Sequence, residues 1–250
     1  MYKPHNPTIK IGKKETGIDL LGKKPEAVKY LCVYADNKKA DLDFLNEYPN
    51  VETLFVNGDF ANVDGISELK RLNRLILLLP AEVYLSGVNV PTLKSLSVYK
   101  QINPGFSALL TEKIEYLELM EMRKFSDLSF VEGLTGLKKL YLQSLPAVEK
   151  LPDFGKMPNL YGLKIYELHK LNDIESLTRS AIRYFALTLA ADKLSGTKIA
   201  DVLLRMECLE RFSGSLDRSY KRDNVLENRL KKAGKSDIWN YFDMNEWLRL

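Results

Sequence analysis

The chain has 250 residues, 45% of them hydrophobic, and a formal net charge of +4 at pH 7. This length and composition allow one elongated domain with a large buried core. No run of about 18 apolar residues occurs, so a transmembrane helix is not expected, and the first residues lack the apolar stretch of a secretory signal. The charge is uneven, because residues 1–30 contain seven Lys/Arg against three Asp/Glu and residues 211–235 contain eight against three.

Residues 1–27 are expected to form an N-terminal cap. The segment Thr8–Ile11 alternates polar and apolar residues, which predicts a short edge strand. Gly12 and Gly17 follow this strand, and each indicates a turn. A cap that is polar on its outer face prevents end-to-end stacking of a repetitive fold, which explains the basic character of this end.

One short pattern then recurs through the chain: an apolar residue, two variable ones, an apolar one, a variable one and a third apolar one. Eight copies begin at Val28, Val51, Leu72, Leu93, Ile114, Leu137, Leu160 and Ile182. Successive copies are 21 to 23 residues apart, a spacing typical of repeat architectures. The last two apolar residues of each copy lie two apart and therefore share one face of a strand. Stacked copies would bury a continuous apolar column and pair their strands in a parallel sheet.

This pattern resembles the leucine-rich-repeat family, in the short class of bacterial internalin-like proteins. The resemblance covers residues 28–189 and extends to 216 with a degenerate ninth copy, Leu209-x-x-Phe212-x-Gly214, so that 28–216 form the repeats. It implies an α/β solenoid, a right-handed superhelix with a parallel β-sheet on the concave face and short helices and turns on the convex side.

The turns after the strands depart from the family pattern. The family usually has Asn at the ninth place of each repeat, where its side chain satisfies backbone groups. Here that place is held by Asp36, Asp59, Pro80, Gln101, Met122, Leu145, Leu168 and Ala190. We therefore expect irregular turns.

Residues 217–250 are expected to form a C-terminal helical cap. The stretches 201–207 and 223–232 are compatible with helices, and a further helix would place Ile238 and Phe242 on one stripe, together with Trp239. Both tryptophans of the chain, Trp239 and Trp247, lie in this segment. Two interpretations stay open: the segment covers the apolar end of the last repeat, or it is an exposed docking peptide with aromatic anchors.

The strand positions that alternate with the core residues form three columns on the concave face. Seven of the thirteen tyrosines of the chain fall in these 24 positions. Tyrosine suits a half-exposed strand surface, but its combination with arginine and methionine is also typical of protein-binding surfaces. The predicted partner-binding residues are Tyr30, Tyr34, Phe55, Arg74, Tyr99, Tyr116, Glu118, Tyr141, Lys164, Tyr166 and Tyr184.

The sequence offers little for catalysis or metal binding. His5 and His169 have no Cys or carboxylate at ligand spacing, and Glu118 is the one acid of its local cluster expected at the centre of the concave face. Cys32 is expected on that face without a histidine to lower its pKa, and the common phosphate-binding and hydrolase motifs are missing. No enzymatic activity, metal or cofactor is expected.

The resulting hypothesis is a non-catalytic protein-protein interaction module of the bacterial cytoplasm, monomeric, whose concave face binds a protein partner of unknown identity. Cys32 and Cys208, expected as free thiols, favour a reducing compartment. By analogy of architecture, such a module could neutralise a toxin or effector. The alternative is a binder of RNA or an anionic membrane through the basic ends, and a third interpretation is self-association.

Overall fold

The structure is a computed structural model that describes residues 6–12, 16–36, 39–80, 83–100, 104–189, 191–243 and 246–247. The chain divides into two compact units, Met1–Ile114 and Glu115–Leu250. His5, Gln101 and Ala190, three residues discussed above, lie outside the described residues.

The first unit is built on a mostly parallel sheet. Its strands are β1 (Thr8–Ile11), β2 (Gly17–Asp19), β3 (Tyr30–Asp36), β4 (Thr53–Asp59), β5 (Arg74–Leu78) and β6 (Ser95–Tyr99). Their order in the sheet is β2-β1-β3-β4-β5-β6. The strand β1 pairs parallel with β3 and antiparallel with β2. The prediction that β1 is an edge strand is therefore wrong, because the short segment Gly17–Asp19 folds back and pairs with it.

The second unit continues the same pattern. Its strands are β7 (Tyr116–Met120), β8 (Lys139–Gln143), β9 (Gly162–Tyr166), β10 (Tyr184–Thr188) and β11 (Arg211–Ser215). They follow chain order in the sheet, and each described pair is parallel. The degenerate ninth copy thus forms a strand, β11, at one end of the sheet.

The register shows why the repeat folds as it does. In the first unit, the central apolar residues Leu31, Leu54, Leu75 and Leu96 are aligned across four strands. In the second unit, the aligned set is Leu117, Leu140, Leu163, Phe185 and Phe212. All nine side chains are buried. Each copy therefore adds one layer to an apolar column, as the periodicity predicts.

Short helices return the chain between strands. Apart from two α-helices, α1 (Gly196–Leu203) and α2 (Lys221–Lys232), and the α-helical residues 246–247, the helices of the described residues are 3₁₀ turns. The 3₁₀ turns are Pro25–Ala27, Asp43–Glu47, Asp64–Glu68, Pro104–Leu109, Ser129–Gly133, Phe154–Lys156, Glu175–Arg179 and Ser236–Ile238. Such short turns fit repeats of only 21 to 23 residues. In the described part of the chain, none of the helices has the length and apolarity needed to cross a membrane.

Two predicted helices need correction. The helix expected over 201–207 instead spans Gly196–Leu203, because the Ser195 hydroxyl caps its N-terminus by accepting a hydrogen bond from the Lys198 amide. The helix expected to carry Ile238 and Phe242 on one stripe does not form. The 3₁₀ turn ends at Ile238, and the residues from Trp239 to Asp243 are not helical.

The turns after the strands of the second unit are regular, contrary to the expectation from the missing asparagines. Glu121, Ser144, Glu167 and Leu189 each have a positive φ of 50° to 59°. The amide of each donates a hydrogen bond of 2.8–3.0 Å to the last carbonyl of the next strand, as Ser144 does to Tyr166. Main-chain geometry therefore closes these turns without an asparagine side chain.

Two positions in the first unit depend on unusual backbone angles. Gly58 has a φ of +116°, and a β-carbon there would lie 1.8 Å from the Ala35 carbonyl oxygen. Leu21 and Gly22 both have positive φ, at 53° and 73°, and the Lys23 amide donates to the Leu20 carbonyl. Leu21 and Gly22 are the central residues of a tight turn, and such a turn prefers Asn or Gly at both of these positions.

Candidate partner-binding surface

The predicted columns form the face of the sheet opposite the apolar core, and we call it the open face. In the first unit, it carries five predicted residues that are all half-buried: Tyr30, Tyr34, Phe55, Arg74 and Tyr99. They come from β3, β4, β5 and β6, whose register places equivalent residues side by side. The sequence thus predicted correctly that these side chains share one face.

Two of these side chains touch across neighbouring strands. The rings of Tyr34 and Phe55 have centroids 5.6 Å apart at an interplanar angle of 54°, a favourable aromatic geometry. On the next strand, Ile76 beside Phe55 is buried, and Leu78 is half-buried. Most of the half-buried apolar side chains on this face are therefore aromatic rings.

Cys32 also belongs to the open face but is buried. Burial raises the pKa of its thiol to about 11, and the hydrogen bond with Tyr34 opposes that shift only partly. A reactive cysteine needs the opposite, a lowered pKa. The thiol therefore stays protonated at neutral pH, and this site gives no support to a nucleophilic role.

In the second unit, the middle open-face residues of β7 and β8, Glu118 and Tyr141, are more buried than predicted. Tyr116, Lys164, Tyr166 and Tyr184 are half-buried, but Glu118 and Tyr141 are only 8% and 5% exposed. Neighbouring strands lie about 4.8 Å apart, so a central side chain is enclosed by longer ones on every side. The expectation that Glu118 and Tyr141 are exposed on this face is therefore wrong, and their role in partner binding stays a prediction.

The surroundings of Tyr141 show this enclosure. The Lys164 ammonium lies 5.0 Å from the centroid of the Tyr141 ring, and the Tyr141 hydroxyl donates to the Gln143 amide oxygen at 2.5 Å. Burial raises the pKa of Tyr141 to about 12, helped by the nearby Glu118 and Tyr166. Tyr141 is thus a neutral packing residue that fixes the lysine above it.

Phe242 and Trp247 lie on the open face of the second unit, and the described residues 239–243 and 246–247 are called the C-terminal segment. Phe242 and Trp247 are buried there with Ala186, and Tyr184 packs against them. The two rings are stacked, 6.3 Å apart and 15° from parallel. Sequence reasoning missed this contact, because nothing in the spacing of the aromatic residues indicates a return across the sheet.

Gly162 of β9 makes room for this segment. A β-carbon at Gly162 would lie 2.8 Å from Cη2 and 2.9 Å from Cζ3 of Trp247. The other strands carry Tyr184 or Lys139 at the aligned position. Because Gly162 has no side chain, it leaves a notch between Lys139 and Tyr184 on the open face, and the Trp247 indole ring fills this notch.

Polar contacts hold the same segment at its edges. The Lys139 ammonium donates to the Trp247 carbonyl at 2.9 Å. Arg211 forms an ion pair with Glu246, and it donates to the Tyr241 carbonyl at 3.0 Å. Burial lowers the pKa of Lys139. The segment is thus bound by cations that rise from β8 and β11.

The start of the segment has a different contact. Trp239 forms a parallel bridge with Phe212 of β11, their ring centroids are 5.3 Å apart, and the Asn240 amide donates to the Phe212 carbonyl. Ile238 is buried beside it. Residues 238–240 therefore pack against the last strand, as the capping interpretation predicts, whereas Phe242 and Trp247 occupy the open face.

Within the described residues, no group of three or more His, Cys, Asp or Glu side chains could hold a metal ion. His169 lies 3.4 Å from the Glu167 carboxylate, with both side chains partly exposed. This pair alone offers no metal site.

Comparison with known proteins identifies the fold. No family model matches the sequence, and no curated protein matches it with significance. Among solved structures, an internalin (inlF) from Listeria monocytogenes is similar with a TM-score of 0.51 and 16% identity, over 91% of this chain and 70% of that one. Internalin C2 of the same organism is matched over 80% of this chain and 86% of its own, at 12% identity and a TM-score of 0.39.

Proposed function

Starting from its internalin-like leucine-rich-repeat fold, we propose that this chain is a non-catalytic module that binds a protein partner on the open face of its sheet. A repeat fold of this kind presents an extended surface rather than a deep pocket. The observation that carries the proposal is the row of half-buried aromatic side chains on the first unit, Tyr30, Tyr34, Phe55 and Tyr99. Rigid aromatic rings supply contact area with little loss of conformational entropy.

The proposal places the module in the bacterial cytoplasm, where the free thiols Cys32 and Cys208 stay reduced. A toxin or effector whose active surface must be covered is a partner class that suits a catalytically silent module. That part of the proposal rests on architecture, whereas the location of the binding surface rests on the residues above.

The test is affinity capture from source-cell lysate with a matched pair of variants. The surface variant changes Tyr34 and Tyr99 to Ala. The control changes Tyr84 and Tyr220 to Ala, two tyrosines that are 72% and 62% exposed and lie outside the strands. We expect a stoichiometric protein to be lost with the surface variant and kept with the control. Equal recovery with both variants would rule out this face as the binding site.

Salt dependence tests the alternative, binding of RNA or anionic membranes through the basic ends. Contacts with several phosphates weaken binding by orders of magnitude between about 50 and 200 mM salt. At the C-terminal end, Arg222 donates to Asp217 and to the carbonyls of Ala191 and Leu194, and Arg229 pairs with Asp201. Because the fold itself uses these two arginines, capture that survives moderate salt is the expected result.

A further inference from the structure

The C-terminal segment combines two apolar rings with negative charge. Phe242 and Trp247 face the sheet, and Asp243 and Glu246 lie between them in the sequence. The Asp243 carboxylate accepts from the Glu246 amide, and the Asp243 carbonyl accepts from the Trp247 amide. These bonds fix Trp247 relative to Asp243 in one helical turn, and the Phe242 and Trp247 rings both pack against Ala186.

The surface beneath has the complementary chemistry. Ala186 and the notch at Gly162 accept the rings. Three cations surround them: Lys139, Lys164 and Arg211. Lys139 donates to the Trp247 carbonyl and Arg211 pairs with Glu246, whereas Lys164 interacts electrostatically with Glu118 of the same face and, more weakly, with Asp243. Half-buried cations of this kind are stabilised by an anionic group above them, so the surface suits an acidic aromatic peptide.

We propose that this surface is a binding site for an acidic, aromatic segment of a partner protein, and that the chain's own C-terminal segment occupies it until such a partner arrives. The inference deepens the proposed function, because it assumes that the open face binds protein. It adds the chemistry of the partner and a competitor within the chain itself.

The attachment of the segment is compatible with replacement. Its backbone pairs with the sheet main chain through the Asn240 amide at Phe212, and its other described backbone contacts come from the Lys139 and Arg211 side chains. The Trp247 indole nitrogen is buried without a hydrogen-bond partner among the described residues, which weakens the contact relative to a fully satisfied one. A partner that satisfies this surface better could therefore displace the segment.

The experiment uses a fluorescein-labelled synthetic peptide of residues 236–250 as the probe and fluorescence anisotropy as the readout. The full chain is compared with its Trp247→Ala variant, in which the resident segment loses its main anchor. We expect the variant to bind the peptide at least tenfold more tightly than the unchanged chain. A peptide in which Ser replaces both Phe242 and Trp247 should not bind.

Charge variants locate the site. Adding Lys139→Glu to the Trp247→Ala chain should abolish peptide binding, whereas adding Lys170→Glu, an exposed lysine, should leave it unchanged. Phe242→Ala provides a second way to release the resident segment if Trp247→Ala lowers the folded fraction by circular dichroism.

Three results would overturn the inference: equal peptide affinity for the unchanged chain and both release variants, binding that ignores Lys139→Glu, or no binding at all. These failures differ from failure of the proposed function. A chain that captures a partner through Tyr34 and Tyr99 but ignores the peptide keeps that function and loses this site.

Discussion

Changing Gly162 to Ala should weaken the docking of the C-terminal segment without disturbing the repeats. The added β-carbon would lie 2.8 Å from the Trp247 ring, whereas ordinary carbon contacts begin at about 3.5 Å. The ring must therefore move by about 0.7 Å, because backbone strand pairing fixes Gly162 on its other side. A shift of this size also disturbs the stacking of Trp247 on Phe242.

The expected magnitude follows from the burial of the two rings. Full burial of a large apolar side chain contributes about 1.5–3 kcal/mol, so Phe242 and Trp247 together contribute about 3–6 kcal/mol as an upper value. A misfit of this kind removes about a quarter to a half of the contact energy. We therefore expect the segment to be bound less tightly by about 1–3 kcal/mol.

Hydrogen exchange at the Trp247 amide measures this loss directly, because that amide donates to the Asp243 carbonyl in the docked turn. Since each 1.4 kcal/mol is a factor of ten, exchange in Gly162→Ala should be about 5- to 140-fold faster. The control is Gly133→Ala, where an added β-carbon meets nothing within 4 Å. Exchange within threefold of the unchanged chain, or equal acceleration in the control, would refute the reasoning.

The remaining predictions concern stability. Gly58→Ala should destabilise the first unit by about 3 kcal/mol or more, because it combines a backbone clash with a positive φ; Gly17→Ala, which meets nothing within 4 Å, should change denaturant midpoints little. Leu21→Asn should stabilise by about 0.5–1 kcal/mol, since Asn tolerates the left-handed φ of this exposed position, and a lower urea midpoint would contradict this. Bonds from Ser219 and Arg222 lower the pKa of Asp217, so its stabilisation is present above the unfolded pKa of about 3.9 and is lost as pH falls through the lower folded value. Asp217→Asn should therefore flatten the acid side of a calorimetric pH series, and Asp192→Asn, an exposed charge nearby, should not.

The repeat pattern predicted most of the fold because every copy places apolar residues at the same positions. The apolar residue at the centre of each copy, such as Leu31 or Leu163, must be buried against its neighbours, and the aligned register shows that it is. Even the weak ninth copy obeys the rule, since Phe212 pairs with Phe185 in register. The spacing of the apolar residues therefore predicts which side chains are buried and aligned, whatever the conformation of the loops between them.

Departures from prediction occur where a structure depends on single local interactions. The α1 helix starts five residues earlier than expected because Ser195 caps it, a signal that was present in the sequence but overlooked. The regular turns at Glu121 and Ser144 depend on main-chain conformation, which side-chain identity does not reveal, because neither residue type favours a positive φ. The pairing of Gly17–Asp19 with β1 involves too few residues to show a pattern.

The candidate surface was predictable in position but not in exposure. Alternation places Glu118 and Tyr141 on the open face, and they lie there, but alternation says nothing about neighbours that cover them. Lys164 lies over Tyr141, and the C-terminal segment covers the strands beyond it. These contacts join residues up to 108 positions apart, as Lys139 and Trp247 show, so no local pattern encodes them.

The aromatic excess on the open face therefore has two causes, one for each unit. In the second unit, Tyr184 packs against the chain's own Phe242 and Trp247, so part of the excess serves an intramolecular contact. In the first unit, the described residues show Tyr34 packed on Phe55, with no comparable terminal segment over them. An aromatic composition that suits partner binding suits self-binding equally. It follows that substitutions in the two units should differ in effect. Tyr34→Ala removes part of the proposed binding surface, whereas Tyr184→Ala loosens the C-terminal segment and so exposes the strands beneath it.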